Sequence, residues 1–205
     1  QPSADVAITV TPDAQTDLGA GAGNAIALTF TSADWSTPQT VMVAAANDHI
    51  AEELHSSTIT HAVSSADGDY NGWVLGNVTV SVTDNDMAGV MLTQPDGSTA
   101  VVEGGATDAW TLALNSEPVA GVTITVTPDA QSDLGAGAGV AVTRTFDAAN
   151  WSTPQSITVT AVDDPDIEGP HSSTMTHAVT SGDAKYNGFG VGNVTVAITD
   201  NDAAG

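Results

Sequence analysis

The sequence predicts an all-β protein made of two antiparallel β-sandwiches in tandem. Two observations support this prediction: a long internal repeat, and short segments in which apolar and polar residues alternate. The composition is a third, since 41% of the residues are hydrophobic but only 4% are aromatic. Such a chain, rich in Ala, Val, Thr and Gly, favours short strands and turns over large helices.

The internal repeat sets the organisation of the chain. Residues 6–89 align without a gap onto residues 122–205, and more than half of the aligned positions are identical. Self-similarity on this scale is typical of tandem domains. We therefore predict two domains, a first repeat over residues 1–86 and a second, complete repeat over residues 87–205 that ends in a linker to a next repeat.

The first repeat is N-terminally truncated relative to the second. Gln1 aligns with Glu117, so the first repeat has no counterpart of residues 87–116. We expect its sandwich to lack its first strands, and therefore to expose a sheet edge and an apolar face. We also expect the parent protein to continue in both directions.

Alternating side chains identify the strands within each repeat. Residues 122–126, 156–161 and 194–198 alternate between apolar and polar side chains, as half-buried strands do. Turn-forming residues separate them, among them Pro154 and the glycine-rich stretch 135–139. About seven short strands in one repeat predict an antiparallel sandwich with little helix.

The charge of the chain excludes several classes of partner. Two Lys and Arg residues stand against 25 Asp and Glu, which gives a formal net charge of −23. Nucleic acid binding depends on basic side chains, so nucleic acid is excluded as a partner. The chain has no cysteine for disulfides or thiolate metal sites, and no apolar run long enough to insert into a membrane. The acidic side chains either only solvate the surface or bind cations.

Carboxylates are concentrated where the predicted strands end. Loops at one pole of a sandwich can converge, and calcium prefers six to eight oxygen ligands of the kind that such loops supply. The alternative interpretation is that these are turn-forming Asp residues exposed to water. In the second repeat the candidate calcium ligands are Glu103, Asp133, Asp163, Asp164, Asp166, Glu168, Asp200 and Asp202.

The order and spacing of these acids resemble the Calx-beta domain family, which occurs in sodium–calcium exchangers, in a β4 integrin tail and in very large bacterial adhesins. The resemblance rests on Asp163-Asp164 followed by Glu168-Gly169, on the closing Asp200-Asn201-Asp202, and on Glu103-Gly104-Gly105. It implies that each repeat is an immunoglobulin-like sandwich that binds Ca²⁺. It also implies that Asp166 acts through its backbone carbonyl.

The resemblance extends to the first repeat with departures. His55 and His171 stand where sensor members of the family carry another acid, and imidazole is a poor calcium ligand, so we expect fewer ions per domain. The first repeat has no counterpart of Glu103, so we expect its site to be weaker or empty. The positions implied in the first repeat are Asp17, Asn47, Asp48, Ile50, Glu52, Asp84 and Asp86.

These observations predict a structural role. The sequence contains no nucleophile motif, so we do not expect an enzyme. We expect a calcium-binding segment of a secreted or cell-surface protein, a rigid stalk or filament for adhesion or matrix assembly, in which calcium near residues 84–89 fixes the angle between neighbouring repeats. The alternatives are a filament subunit that assembles by strand complementation, a module that binds glycan or protein, and a calcium sensor.

Overall fold

The computed structural model describes residues 1–203, and all regular elements in that range are β-strands. None of those residues belongs to a helix that is long and apolar enough to cross a membrane. The chain divides into two compact units: unit 1 comprises residues 1–48 and 52–85, and unit 2 comprises residues 49–51 and the described residues from 86 onward. The prediction of an all-β fold with antiparallel sheets is confirmed.

Unit 1 is built around one four-stranded antiparallel sheet with the strand order β3-β1-β5-β6. A separate two-stranded ladder joins β2 to β4. The strands are β1 (Val6–Thr11), β2 (Thr16–Asp17), β3 (Ile26–Phe30), β4 (Ala44–Ala45), β5 (His55–Ser65) and β6 (Val78–Val82).

Unit 2 contains two sheets, a five-stranded sheet with the order β12-β10-β14-β15-β8 and a four-stranded sheet with the order β11-β13-β9-β7. The pairing of β15 with β8 is parallel, and the other pairings are antiparallel. The strands are β7 (Val90–Thr93), β8 (Thr99–Val102), β9 (Asp108–Leu114), β10 (Val122–Thr127), β11 (Ser132–Asp133), β12 (Val142–Phe146), β13 (Gln155–Ala161), β14 (His171–Ser181) and β15 (Val194–Thr199).

The core of unit 2 lies between its two sheets. Trp110 and Leu112 on β9 pack with Ile157 on β13, Ile124 on β10 and Met175 on β14, and all five side chains are fully buried. Burial of each such side chain contributes about 1.5–3 kcal/mol. Alternate residues of β10 and β15 point into this core, as the sequence pattern predicts. Strand β9 is therefore central to the packing of unit 2.

Unit 1 has no strand equivalent to β9, and its apolar face is open. Residues 39–45 align with β13, but they form a ladder only at Ala44–Ala45. Val78 is 48% exposed, whereas its counterpart Val194 in unit 2 is 1% exposed. This side of the sheet in unit 1 is therefore open to solvent.

Tyr186 fastens the loop after β14 to the end of β9 in unit 2. Its hydroxyl donates to the carbonyl oxygen of Ser116 at 2.7 Å and accepts from the Ser116 amide at 3.1 Å. The side chain is 1% exposed. The aligned Tyr70 of unit 1 is only half-buried, and unit 1 has no counterpart of Ser116. The same residue type therefore has different structural roles in the two units.

Replacing Tyr186 with Phe should destabilise unit 2 by about 1–3 kcal/mol, because both backbone groups of Ser116 lose their partner in a buried environment. Chemical denaturation followed by residue-specific probes of unit 2 measures the change. Tyr70→Phe is the matched control and should alter the stability of unit 1 by less than about 0.5 kcal/mol. Equal effects from the two substitutions would contradict the role assigned to Tyr186.

Candidate metal centre

One pole of unit 2 collects the ends of several strands. Val102 at the end of β8 lies opposite Thr199 at the end of β15, because these two strands run parallel. The Glu103 amide donates to the Thr199 carbonyl oxygen at 3.1 Å. Glu103 and the following Asp200 therefore leave the same sheet at the same edge, which places two carboxylates side by side.

Glu103 is a buried carboxylate with an incomplete set of partners. It is 3% exposed, and its Oε2 atom is shielded from solvent without a hydrogen bond. Burial raises the pKa of Glu103, and the negative charge of Asp200 raises it further. A buried charge without compensation is costly, so this position requires either a proton or a cation.

Glu103, Asp200 and Asp202 form a group in which one carboxylate oxygen from each lies within 4.8 Å of the others. The Oδ2 atom of Asp202 is also shielded from solvent without a partner. Burial raises the pKa of Asp202, and the charges of Asp200 and of the aspartates in residues 163–166 add to this effect. The group thus concentrates negative charge where solvent cannot screen it well.

Asp200 is held in the charged form by backbone amides. Its Oδ1 accepts from the Asp202 amide at 2.7 Å, and its Oδ2 accepts from the amides of Glu168 and Gly169, each at 2.7 Å. These hydrogen bonds, with that of Asp202 the strongest, lower the pKa of Asp200. Asp200 is therefore a fixed anion beside two carboxylates that resist ionisation.

Asn201 connects the segments of this pole, a role that the sequence analysis did not assign. Its Nδ2 donates to the Glu103 carbonyl oxygen at 3.0 Å and to Oδ1 of Asp163 at 2.9 Å. Gly104 lies against this contact with a φ of 59°, and a Cβ there would sit 3.0 Å from both Asn201 Nδ2 and Asp163 Oδ1. Glycine is therefore required in Glu103-Gly104 on grounds of both conformation and space.

His171 lies at the edge of the same group. Its Nδ1 donates to the Gly169 carbonyl oxygen at 2.9 Å, which directs Nε2 towards Oε2 of Glu168 at 3.4 Å and Oε1 of Glu103 at 3.8 Å. Glu168 also accepts a hydrogen bond from Gln131 at 3.0 Å through its Oε1. Glu103, Glu168 and His171 thus form a second group with metal-ligand spacing that overlaps the first at Glu103.

Other predicted residues of the second repeat have local roles in their loops. Oδ1 of Asp133 accepts from the amides of Gly135 at 2.6 Å and Gly137 at 2.9 Å, so this carboxylate shapes the glycine-rich loop. Asp133 belongs to neither of the two groups. Oδ1 of Asp164 accepts from the Asp166 amide at 2.8 Å, which fixes the turn between them.

Unit 1 repeats part of this arrangement. Oδ2 of Asp84 accepts from the amides of Glu52 at 2.6 Å and Glu53 at 3.2 Å, and Oε2 of Glu52 lies 3.6 Å from Nε2 of His55. Oδ1 of Asp17 accepts from the amides of the adjacent loop, as Asp133 does. A carboxylate equivalent to Glu103 is missing from unit 1, and both described groups with metal-ligand spacing lie in unit 2.

The remaining predicted positions of the first repeat lie in two short stretches. Asn47 and Asp48 are exposed, and Nδ2 of Asn47 donates to the Asp48 carbonyl oxygen at 3.3 Å. Ile50 falls in residues 49–51, which group with unit 2. Asp86, the counterpart of Asp202, also groups with unit 2 and is half-buried. Among the described residues, the two groups with metal-ligand spacing include none of the positions implied in the first repeat.

Comparisons with known proteins give similarity to solved structures only. No family model matches the chain, and no curated protein matches it. A crystal structure of the apo-form Calx CBD1 domain aligns with 55% of this chain and 98% of its own, at 15% identity and a TM-score of 0.40. A crystal structure of CBD12 from CALX1.2 aligns with 88% of this chain and 71% of its own, at 14% identity and a TM-score of 0.35. Both TM-scores are low.

Replacing Glu103 with Gln should stabilise the metal-free protein at neutral pH. Because the pKa of Glu103 is raised above its ordinary 4.5, folding disfavours the ionised form, and the amide removes this charge. The melting temperature of Glu103→Gln in chelator should exceed that of the parent at pH 7, and the difference should shrink as the pH falls through the raised pKa towards 4.5.

The control for this experiment is Asp96→Asn, which removes one negative charge at an exposed position outside the pole. It should leave the melting temperature nearly unchanged, since isolated surface charges contribute little. A metal-free Glu103→Gln protein that is less stable than the parent at pH 7 would show that ionised Glu103 is well compensated.

Proposed function

We propose that unit 2 binds Ca²⁺ at the pole formed by Glu103, Asp200 and Asp202, and that the chain is a structural calcium-binding segment. The observation that carries this proposal is the buried Oε2 atom of Glu103, which has no hydrogen-bond partner, in a residue that shares metal-ligand spacing with two further carboxylates. A bound cation compensates all three charges at once.

The geometry of the three carboxylates suits calcium. Ligand oxygens lie about 2.3–2.6 Å from a calcium ion, so two ligands of one ion are at most about 5 Å apart. The separations within 4.8 Å in this group satisfy that limit. Calcium also accepts carboxylates with irregular geometry and completes its shell with carbonyl groups and water, whereas Mg²⁺ demands a near-ideal octahedron.

The neighbouring acidic side chains support the same ion. Asp163, Asp164 and Asp166 raise the pKa of Asp202 through their charges, which places them in its electrostatic surroundings. Glu168 acts in the same way on the pKa of Glu103. These side chains would complete the coordination shell of the ion or hold its water molecules. The amide donors around Asp200 would fix the position of its carboxylate.

The biological role that we propose is mechanical. Two near-copies in one chain, the absence of cysteine and the strong negative charge suit a repeat array outside the cell, on a secreted or bacterial surface protein. Extracellular modules bind calcium at about 10⁻⁴–10⁻³ M, so environmental calcium fills such sites. Calcium would stiffen the chain between repeats into a stalk, and the module would be non-catalytic.

Calcium should raise the stability of unit 2 by about 2.7 kcal/mol at a hundredfold excess over its dissociation constant. Asp202→Asn should weaken calcium binding at least about tenfold, because it removes one charged ligand. Isothermal titration and thermal melting with and without chelator measure both effects.

Asp86→Asn is the matched control, since Asp86 is the counterpart of Asp202 in a repeat without an equivalent of Glu103. It should retain most of the calcium response of the parent. A parent protein whose melting temperature is the same in calcium and in chelator would rule out the proposed site.

The mechanical role makes a separate prediction for small-angle scattering. For a protein in which a second copy of residues 87–205 follows residue 205, the maximum dimension should be larger, and its distribution narrower, in millimolar calcium than in chelator, because the proposed site includes Asp200 and Asp202 next to that joint. Identical scattering in the two buffers, with calcium bound according to titration, would refute the stiffening role while leaving the binding site intact.

A further inference from the structure

The imidazole of His171 is held in one orientation by the backbone. Its Nδ1 lies 2.9 Å from the Gly169 carbonyl oxygen, which can only accept a hydrogen bond, so Nδ1 carries the hydrogen. In the neutral ring Nε2 is then an unprotonated nitrogen with a lone pair. This nitrogen lies 3.4 Å from Oε2 of Glu168 and 3.8 Å from Oε1 of Glu103. The neutral ring therefore adds a third electron-pair donor to two carboxylates.

The atoms of Glu168 and His171 that point away from this group already have partners. Oε1 of Glu168 accepts a hydrogen bond from Nε2 of Gln131 at 3.0 Å, and Nδ1 of His171 donates to Gly169. Metal-ligating carboxylates and imidazoles are typically oriented by hydrogen bonds of this kind, which leave one atom of each side chain for the ion. Oε2 of Glu168 and Nε2 of His171 are the two atoms left in this way.

Glu103 contributes the observation that points to a ligand. Its side chain is 2% exposed, and its Oε2 atom is shielded from solvent without a hydrogen bond. A buried carboxylate requires compensation by a proton or a cation. The side chains of His171 and Glu168 are 20% and 31% exposed, so an ion can reach the group from solvent on that side.

The distances and the ligand types favour a transition metal over calcium in this group. Zinc lies about 2.0–2.2 Å from nitrogen and oxygen ligands, so two ligands of one zinc ion are at most about 4.3 Å apart. The separations of 3.4 Å and 3.8 Å from Nε2 of His171 satisfy this limit. Calcium and magnesium prefer oxygen ligands, whereas imidazole suits zinc and other transition metals.

We propose that Glu103, Glu168 and His171 form a second metal site, which binds a divalent transition-metal ion such as Zn²⁺. One nitrogen and two carboxylates hold the ion, and water fills its remaining position on the exposed side. The site shares only Glu103 with the group of Glu103, Asp200 and Asp202. It goes beyond the proposed calcium function, because its ligands include neither of these aspartates.

The test is a titration of the calcium-free full chain with zinc chloride, followed by calorimetry and by nuclear magnetic resonance of the imidazole nitrogens. We expect a saturable site with one ion per chain and the largest nitrogen shift at Nε2 of His171. His171→Gln should weaken zinc binding at least about tenfold, because the glutamine side chain removes the nitrogen ligand.

His55→Gln is the matched control in unit 1. The local contacts recur there, since Nδ1 of His55 donates to the Glu53 carbonyl oxygen at 2.9 Å and Gln15 donates to Oε1 of Glu52 at 2.8 Å. Unit 1 of this chain has no counterpart of Glu103 and offers only two of the three ligands. His55→Gln should therefore keep the zinc affinity of the parent.

Asp202→Asn separates this site from the calcium site. It should keep most of the zinc affinity, and His171→Gln should keep the response of the melting temperature to calcium. Absence of zinc binding, zinc affinity unchanged by His171→Gln, equal losses from the two histidine variants, or a loss in Asp202→Asn as large as in His171→Gln would overturn the proposal. Zinc binding at His171 without any calcium response would support this site and refute the proposed calcium function.

Discussion

The parallel pairing of β8 with β15 is the interaction on which the candidate metal centre depends. It aligns the two strand ends so that Glu103 and Asp200 emerge side by side, and the Asn201 side chain then ties both to Asp163. The fold thereby forces together carboxylates that would repel one another in an unfolded chain. When no cation is bound, the favourable contributions of strand pairing and core packing to the free energy of folding must exceed this repulsion.

Residues 87–116, here called the opening segment, couple the packing of unit 2 to its electrostatics. The same thirty or so residues supply the side chains that fill the core and the carboxylate that lies deepest in the pole. Displacement of β9 would therefore also displace Glu103, which follows β8 in the same segment. At the proposed calcium site, ion binding and closure of the sandwich would be linked equilibria, and each would favour the other.

Much of the fold was predictable from the sequence, because strand alternation and the repeat are local patterns. The alternation of β10 and β15 appears directly in the burial of their side chains. The acids at the strand ends were also visible, but which of them converge depends on strand order and pairing. Asp133 binds its own loop, and the connecting role of Asn201 depends on a contact with Glu103, 98 residues away in the sequence. No local pattern encodes such a contact.

The near-identity of the two repeats has a consequence for biosynthesis. An apolar face that accepts the opening segment of its own repeat presents nearly the same surface to the opening segment of a neighbour, because Val6 to Phe30 and Val122 to Phe146 follow the same pattern. Tandem copies are therefore exposed to cross-pairing while the chain emerges from the ribosome. Since the opening segment of the second repeat precedes its own face in the sequence, a repeat of this kind that closes before the next one emerges avoids this error.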